Sequence, residues 1–120
     1  MRRDLRLRQR RDFDAVFRLA PSWNGRLLVL RALPNNLAHN RFGFITSKRL
    51  GKAVVRNKAR RRIRESARVL PLEQGWDIVF AAKAAAGGAT FKEINQSVSD
   101  LLAKAGLLRQ EDARPEKADA

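Results

Sequence analysis

Between Lys48 and Glu65 the chain carries nine Lys or Arg side chains and a single acid, Glu65 itself. So many like charges repel one another unless a polyanion neutralises them. Apolar residues nonetheless recur four apart through the segment, at Val55, Ala59, Ile63 and Ala67, which predicts an amphipathic helix docked on a core. The charges therefore belong to a folded surface and not to an unstructured basic tail. On that helix Arg56, Arg60 and Arg64 share one flank, while Asn57 and Arg61 lie away from the apolar stripe. Such an array suits phosphates and nearby base or sugar edges. Lys58 and Arg62 fall nearer the other edge of the stripe, where a long cationic side chain can equally serve to solubilise or snorkel.

Composition narrows the partner. A chain of 120 residues makes one domain, and the absence of Cys removes disulfides, thiolate catalysis and zinc ribbons and fits a reducing cytoplasm. A net charge of +14 points to nucleic acid or an anionic membrane. Membrane is the weaker choice, because the longest strongly apolar run, Ile78 to Ala82, cannot span a bilayer and the N-terminus lacks the apolar region of a signal peptide. No Asp or Glu occurs between Asp14 and Glu65. One face or end of the fold is therefore expected to be almost purely cationic.

Residues 1–11, dominated by Arg, read as a flexible or partly ordered arm. A short helix follows, with Asp12 or Asp14 at its start, Phe13, Val16 and Phe17 at helical spacing, and Pro21 beyond its end. Ser22 to Gly25 form a turn, and Leu27 to Leu33 a strand that stops at Pro34-Asn35-Asn36. Arg41 to Ser47 read as a second strand antiparallel to the first, with Phe42 and Phe44 on one face and Ile45 on the other. Lys48 to Val54 connect to the basic helix, expected from about Val55 to Leu70 and ended by Pro71. Trp76 to Ala82, nearly continuous in apolar residues, predicts a central strand. After Gly87-Gly88, Thr90 and Glu93 are spaced for a capping box. The helix they open has an apolar face of Phe91, Ile94, Val98, Leu101, Leu102 and Ala105 and stops at Gly106. Residues 12–108 thus form the domain, and 109–120, polar and aperiodic, read as a disordered tail. This order of elements implies a small two-layer α+β fold.

Independent catalysis finds little support in the residues. The one His, at position 39, sits in an Asn-rich loop, and Asp12 and Asp14, a close carboxylate pair, would point to different faces of a helix. They are better read as charges meeting the helix dipole. Phe13 and Phe17, four apart beside a basic surface, could stack on unpaired bases. Core packing is the competing reading, since so short a helix needs apolar anchors.

Three runs together resemble the protein subunit of bacterial ribonuclease P: Arg11-Asp12-Phe13-Asp14-Ala15-Val16-Phe17, the block from Arg41 through Ser47-Lys48-Arg49-Leu50-Gly51-Lys52 to Glu65, and Gly75-Trp76-Asp77-Ile78-Val79. The resemblance implies a fold like the second domain of ribosomal protein S5, a two-layer α+β sandwich with a small, mostly antiparallel four-stranded sheet and a left-handed β-α-β crossover around the basic helix. Pattern alone identifies three strands, so the fourth is expected to be short. The resemblance also implies a protein partner for a catalytic RNA, in an enzyme that hydrolyses precursor tRNA to release its 5′ leader and leave a 5′-phosphate. Magnesium would then be bound mainly by the RNA, which also carries the chemistry, with no metal site assigned to the protein and no second protein required. By position, Arg56, Asn57, Lys58, Arg60, Arg61 and Arg64 match the motif that faces the catalytic RNA, with Lys48, Arg49 and Lys52 extending the phosphate-binding surface. Phe13 and Phe17 match aromatics beside the cleft for the single-stranded leader. Lys58 departs from the usual Arg-Asn-Arg, keeping the charge but losing the planar two-pronged fork. A structural RNA-binding protein of ribosomal type is the alternative from a different class.

Overall fold

A computed structural model describes residues 5–109. Seven elements follow in order: α1 (Arg10–Leu19), β1 (Ser22–Asn24), β2 (Leu28–Pro34), β3 (Arg41–Ile45), α2 (Ala53–Arg68), β4 (Trp76–Ala82) and α3 (Phe91–Lys104). The four strands form one sheet in the order β1-β2-β4-β3, in which β1–β2 and β2–β4 are antiparallel and β3–β4 is parallel. A parallel neighbour needs a crossover, and α2 supplies it. β4 sits centrally because Ile78, Val79 and Phe80 are buried on both faces. β2 and β3 do run in opposite directions, as expected, but they are not neighbours: the strand apolar on both faces takes the place between them.

Alternation along the strands divides the side chains between two cores. Leu28, Leu30 and Ala32 of β2, Phe42 of β3, and Ile78 and Phe80 of β4 join Ala59, Ile63 and Ala67 of α2 and Ile94, Val98, Leu101 and Leu102 of α3 in the main core. The opposite face is covered in part by α1, through a smaller cluster of Leu7, Val16 and Val79 packed by Phe13, Leu33 and Ile45. Phe42 and Ile45 therefore face opposite sides, as their alternation predicts.

Several boundaries differ from expectation for identifiable reasons. β1 occupies the segment read as a turn. It is only three residues long, and the pairing of Trp23 with Leu30 makes it visible where no sequence period could. α1 starts at Arg10, so Asp12 lies in its first turn, Asp14 lies further in, and Gln9 makes no side-chain cap. α2 starts two residues early and ends at Arg68, after a single tight turn, Lys48–Leu50, in which Ser47 accepts a hydrogen bond from the Arg49 N–H. Gly51 at φ +133° links that turn to α2 in a conformation that side-chain-bearing residues rarely adopt. Part of the expected arm lies against the edge of the sheet: Arg6 bridges to Phe42, the Leu7 N–H donates to Phe42 O (2.8 Å), and Leu7 is buried. Residues 1–4, and 110–120 of the expected tail, lie outside the described residues. Arg109 donates its N–H to Pro71 O (2.9 Å).

α3 follows its sequence signals most closely. Thr90 Oγ1 accepts from the Glu93 N–H (3.1 Å), and Glu93 Oε1 accepts from the Thr90 N–H (2.9 Å), completing the capping box. At the other end the Leu107 N–H reaches Leu102 O and the Gly106 N–H reaches Ala103 O, a Schellman closure that needs Gly106 at φ +76°. Phe91, expected on the apolar face, is 46% exposed instead, because it is the first helical residue and lies ahead of the stripe.

Two buried polar side chains test this packing. Asn40 donates Nδ2–H to Glu73 O (2.7 Å) and accepts from the Trp76 N–H (2.8 Å), bracing the start of β4. Asn40→Ala leaves both backbone groups unpaired and is expected to lower stability by about 2 kcal/mol or more in a denaturant titration. Ser66 is fully buried in α2, and its hydroxyl has no partner. Ser66→Ala is therefore expected to leave stability unchanged or raise it by up to about 1 kcal/mol in the same titration.

Candidate nucleic-acid interface

Burial of Ala59, Ile63, Ser66 and Ala67 fixes the rotation of α2 and so decides where its cations point. Arg56, Arg60 and Arg64 follow one another along one flank and are each half-buried, whereas Asn57, Lys58 and Arg61 are exposed on the outer side. Lys48, Arg49 and Lys52 are exposed in the turn that leads into the helix. All nine residues predicted from the sequence to meet RNA thus stand on α2 or at its N-terminal approach. The first acid along the helix, Glu65, is already engaged by Arg68 (2.8 Å), a hydrogen bond that holds its carboxyl below the usual carboxylate range.

Within this array the side chains differ in freedom. Arg60 is pinned at both ends, its Nη1 donating to Asn57 Oδ1 (2.9 Å) and its Nη2 to Thr46 Oγ1 (2.6 Å) beyond the end of β3. Arg56 buries its Nε without a partner, an unsatisfied donor enclosed against the fold. Arg62 turns the other way and donates to Ala89 O (2.9 Å), tying α2 to the approach of α3. Val54, Asn57, Lys58 and Arg61 surround a shallow recess of about 480 Å³, and Val54 is 71% exposed. A second cavity, of about 630 Å³, lies at the other end of α2. Its walls include Leu5, Phe42, Ala67, Leu70 and Leu72, and Arg68 is the only charged side chain among the described residues that line it, so it is separate from the cationic surface.

On the opposite face of the sheet, α1 brings the two predicted aromatics to different environments. The Phe13 ring rests on the backbone of Gly43, so closely that a Cβ there would lie 2.5 Å from its Cε1. Phe13 is a packing residue first. Phe17, one turn on, is 44% exposed, and the guanidinium carbon of Arg31 lies 5.3 Å from its ring centre. Beside it the register aligns Val29, Ala81 and Ile45 in a partly exposed apolar row. Arg31 is not evident from the sequence. Its only signal is one cation at an outward position of an otherwise apolar strand, and its meeting with Phe17 spans two elements.

A partly buried ion pair helps to place α1. Arg41 donates Nε–H and Nη2–H to the two oxygens of Asp77 (2.9 and 2.8 Å), and its Nη1 lies 3.5 Å from Asp12 in the first turn of α1. The Asp77 hydrogen bond, with the attraction of both carboxylates, raises the guanidinium above its usual range despite burial. Asp12 is therefore occupied in holding the helix. Among the described residues no three His, Asp or Glu side chains gather closely enough to bind a metal ion, and no helix is long and apolar enough to cross a membrane.

Known proteins resemble this chain in sequence and in fold. The family model described as Ribonuclease P matches residues 1–106. The chain is 42% identical over 114 residues to the ribonuclease P protein component of Dehalococcoides mccartyi, with 95% of each chain covered. It is 41% identical to that of Clostridium kluyveri, covering 87% of this chain and 96% of the relative. Among solved structures, a Staphylococcus aureus RNase P protein mutant superposes with a TM-score of 0.82 at 31% identity, covering 88% of this chain and 91% of the other. The Thermotoga maritima RNase P protein gives 0.72 at 30% identity, covering 81% and 94%. A cationic helix on one face, an aromatic helix on the other and similarity along nearly the whole length lead to one conclusion: the chain belongs to the ribonuclease P protein family.

Proposed function

We propose that this chain is the RNA-binding subunit of a ribonuclease P that removes the 5′ leader from precursor tRNA by hydrolysis, leaving a 5′-phosphate, in the bacterial cytoplasm. The observation that carries the reading is the flank of Arg56, Arg60 and Arg64, which packing holds in line with no unpaired acid beside it on α2. In this reading Arg56, Asn57, Lys58, Arg60, Arg61 and Arg64, extended by Lys48, Arg49 and Lys52, contact the catalytic RNA. Their charge offsets repulsion where two RNAs and their counterions converge. The leader lies along the other face, where Phe17 offers a stacking surface, Arg31 a nearby cation, and Phe13 the packing that supports both. In this reading magnesium is bound mainly by the RNA. Hydrolysis is assigned to the RNA in the same reading, with the protein acting on substrate and metal affinity and no further protein invoked.

The direct test is cleavage of a 5′-labelled precursor tRNA at near-physiological magnesium by a bacterial ribonuclease P RNA alone, this protein alone, and both. Rapid cleavage at the mature 5′ end in the combined sample alone is expected. Cleavage by the purified protein would make it a nuclease in its own right, and no gain on mixing would favour a structural RNA-binding role.

Two variants separate the surfaces. Arg61→Ala with Arg64→Ala is expected to weaken binding to the catalytic RNA and to flatten its dependence on log salt by about 0.7 to 0.9 for each phosphate that the variant no longer neutralises. Phe17→Ala is expected to weaken leader-bearing precursor by about 1–3 kcal/mol while leaving mature tRNA nearly unaffected, as read from paired binding titrations. Equal losses on both substrates would remove Phe17 from the leader path.

A further inference from the structure

Thr46 lies between β3 and the turn at Lys48, fourteen positions before Arg60, yet its hydroxyl oxygen accepts from Arg60 Nη2 at 2.6 Å. The other terminal nitrogen of the same guanidinium donates to Asn57 Oδ1 at 2.9 Å. Arg is a donor only, so the amide atom of Asn57 that faces it must be the oxygen. Asn57 is thereby left with its two N–H groups as the amide function for anything else. A guanidinium held at both terminal nitrogens also loses the freedom that a long exposed side chain normally keeps. The network thus converts two flexible surface groups into oriented ones before any partner arrives.

Asn57 also borders the shallow recess it shares with Val54, Lys58 and Arg61. The polar side chains of this recess donate, and two of them are cations, so its occupant must present acceptors and negative charge. Val54, 71% exposed among cations, adds a small apolar contact that a bare phosphate would not use but a ribose or base face would. We infer that Thr46 is a positioning residue which, through Arg60, fixes Asn57 as a donor in a recess that takes the acceptor edge and phosphate of one RNA nucleotide. This rests on the proposed binding of catalytic RNA by α2 and adds a geometric component to a contact otherwise set by charge.

The test compares full-length wild-type protein, Thr46→Val and Thr46→Ser in binding a ribonuclease P RNA across a salt series, with nucleotide-resolution footprinting and thermal melting of each protein. Valine keeps the shape and removes the hydroxyl, and serine restores it. Thr46→Val is expected to bind about two- to ten-fold more weakly, with the salt slope and the melting midpoint unchanged and protection absent at a single nucleotide. Thr46→Ser is expected to match wild type. Wild-type affinity in Thr46→Val, an equal loss in both variants, a changed salt slope, or a loss that tracks a lowered midpoint would each overturn the inference and leave RNA binding by α2 standing. Failure of the wild-type protein to bind the RNA would overturn both.

Discussion

Ala59, Ile63 and Ala67 of α2 are buried to within 3% exposure against the sheet and α3, and the arrangement of the basic surface follows from that contact. Each pair of like charges one turn apart costs a few tenths of a kcal/mol, and α2 carries several such pairs. Full burial of Ile63 alone returns about 1.5–3 kcal/mol, so docking outweighs repulsion. The rotation of the helix is then fixed by its apolar stripe and not by its charges. Arg56, Arg60 and Arg64 emerge on one flank, and Asn57 and Arg61 on the outside. The repulsion that remains is what a polyanionic partner would relieve, which links the stability of the helix to the proposed binding.

The sheet separates this surface from a second one. β4, buried on both faces, carries α2 and α3 on one side and α1 on the other. α1 is too short to hold its own place, and three contacts fix it: Val16 in the small core, the Phe13 ring on Gly43, and Asp12 against the Arg41–Asp77 pair. Phe17 is consequently presented with its ring accessible and Arg31 alongside. One surface is chiefly electrostatic, the other aromatic with a cation nearby. That difference suits a folded RNA on the first and an unpaired strand on the second.

Local patterns are readable in the sequence, and contacts between distant residues are not. The capping box of Thr90 and Glu93, the central strand with its continuous apolar run, and the apolar stripe of α2 all follow rules that act within about ten residues, and each appears in the structure. β1 escapes such rules because three residues carry no period. Alternation defines faces but not strand order, so it does not reveal the neighbour of β3. The nine candidate RNA-facing residues stand out by charge density and spacing. Arg31 at Phe17, Thr46 at Arg60 and Asp12 at Arg41 need the fold, since each joins residues that lie on different elements and far apart in the chain.

The proposal that two faces of one sheet serve two RNAs is tested most directly by site-specific photo-cross-linking within the assembled enzyme. A photoreactive residue would replace Phe17 in one protein and Arg61 in another, each bound to catalytic RNA and a precursor tRNA carrying its leader. The expected products are a cross-link from position 17 to the leader and one from position 61 to the catalytic RNA. Cross-links from both positions to the catalytic RNA, or an exchange of the two targets, would contradict the division of labour between α1 and α2.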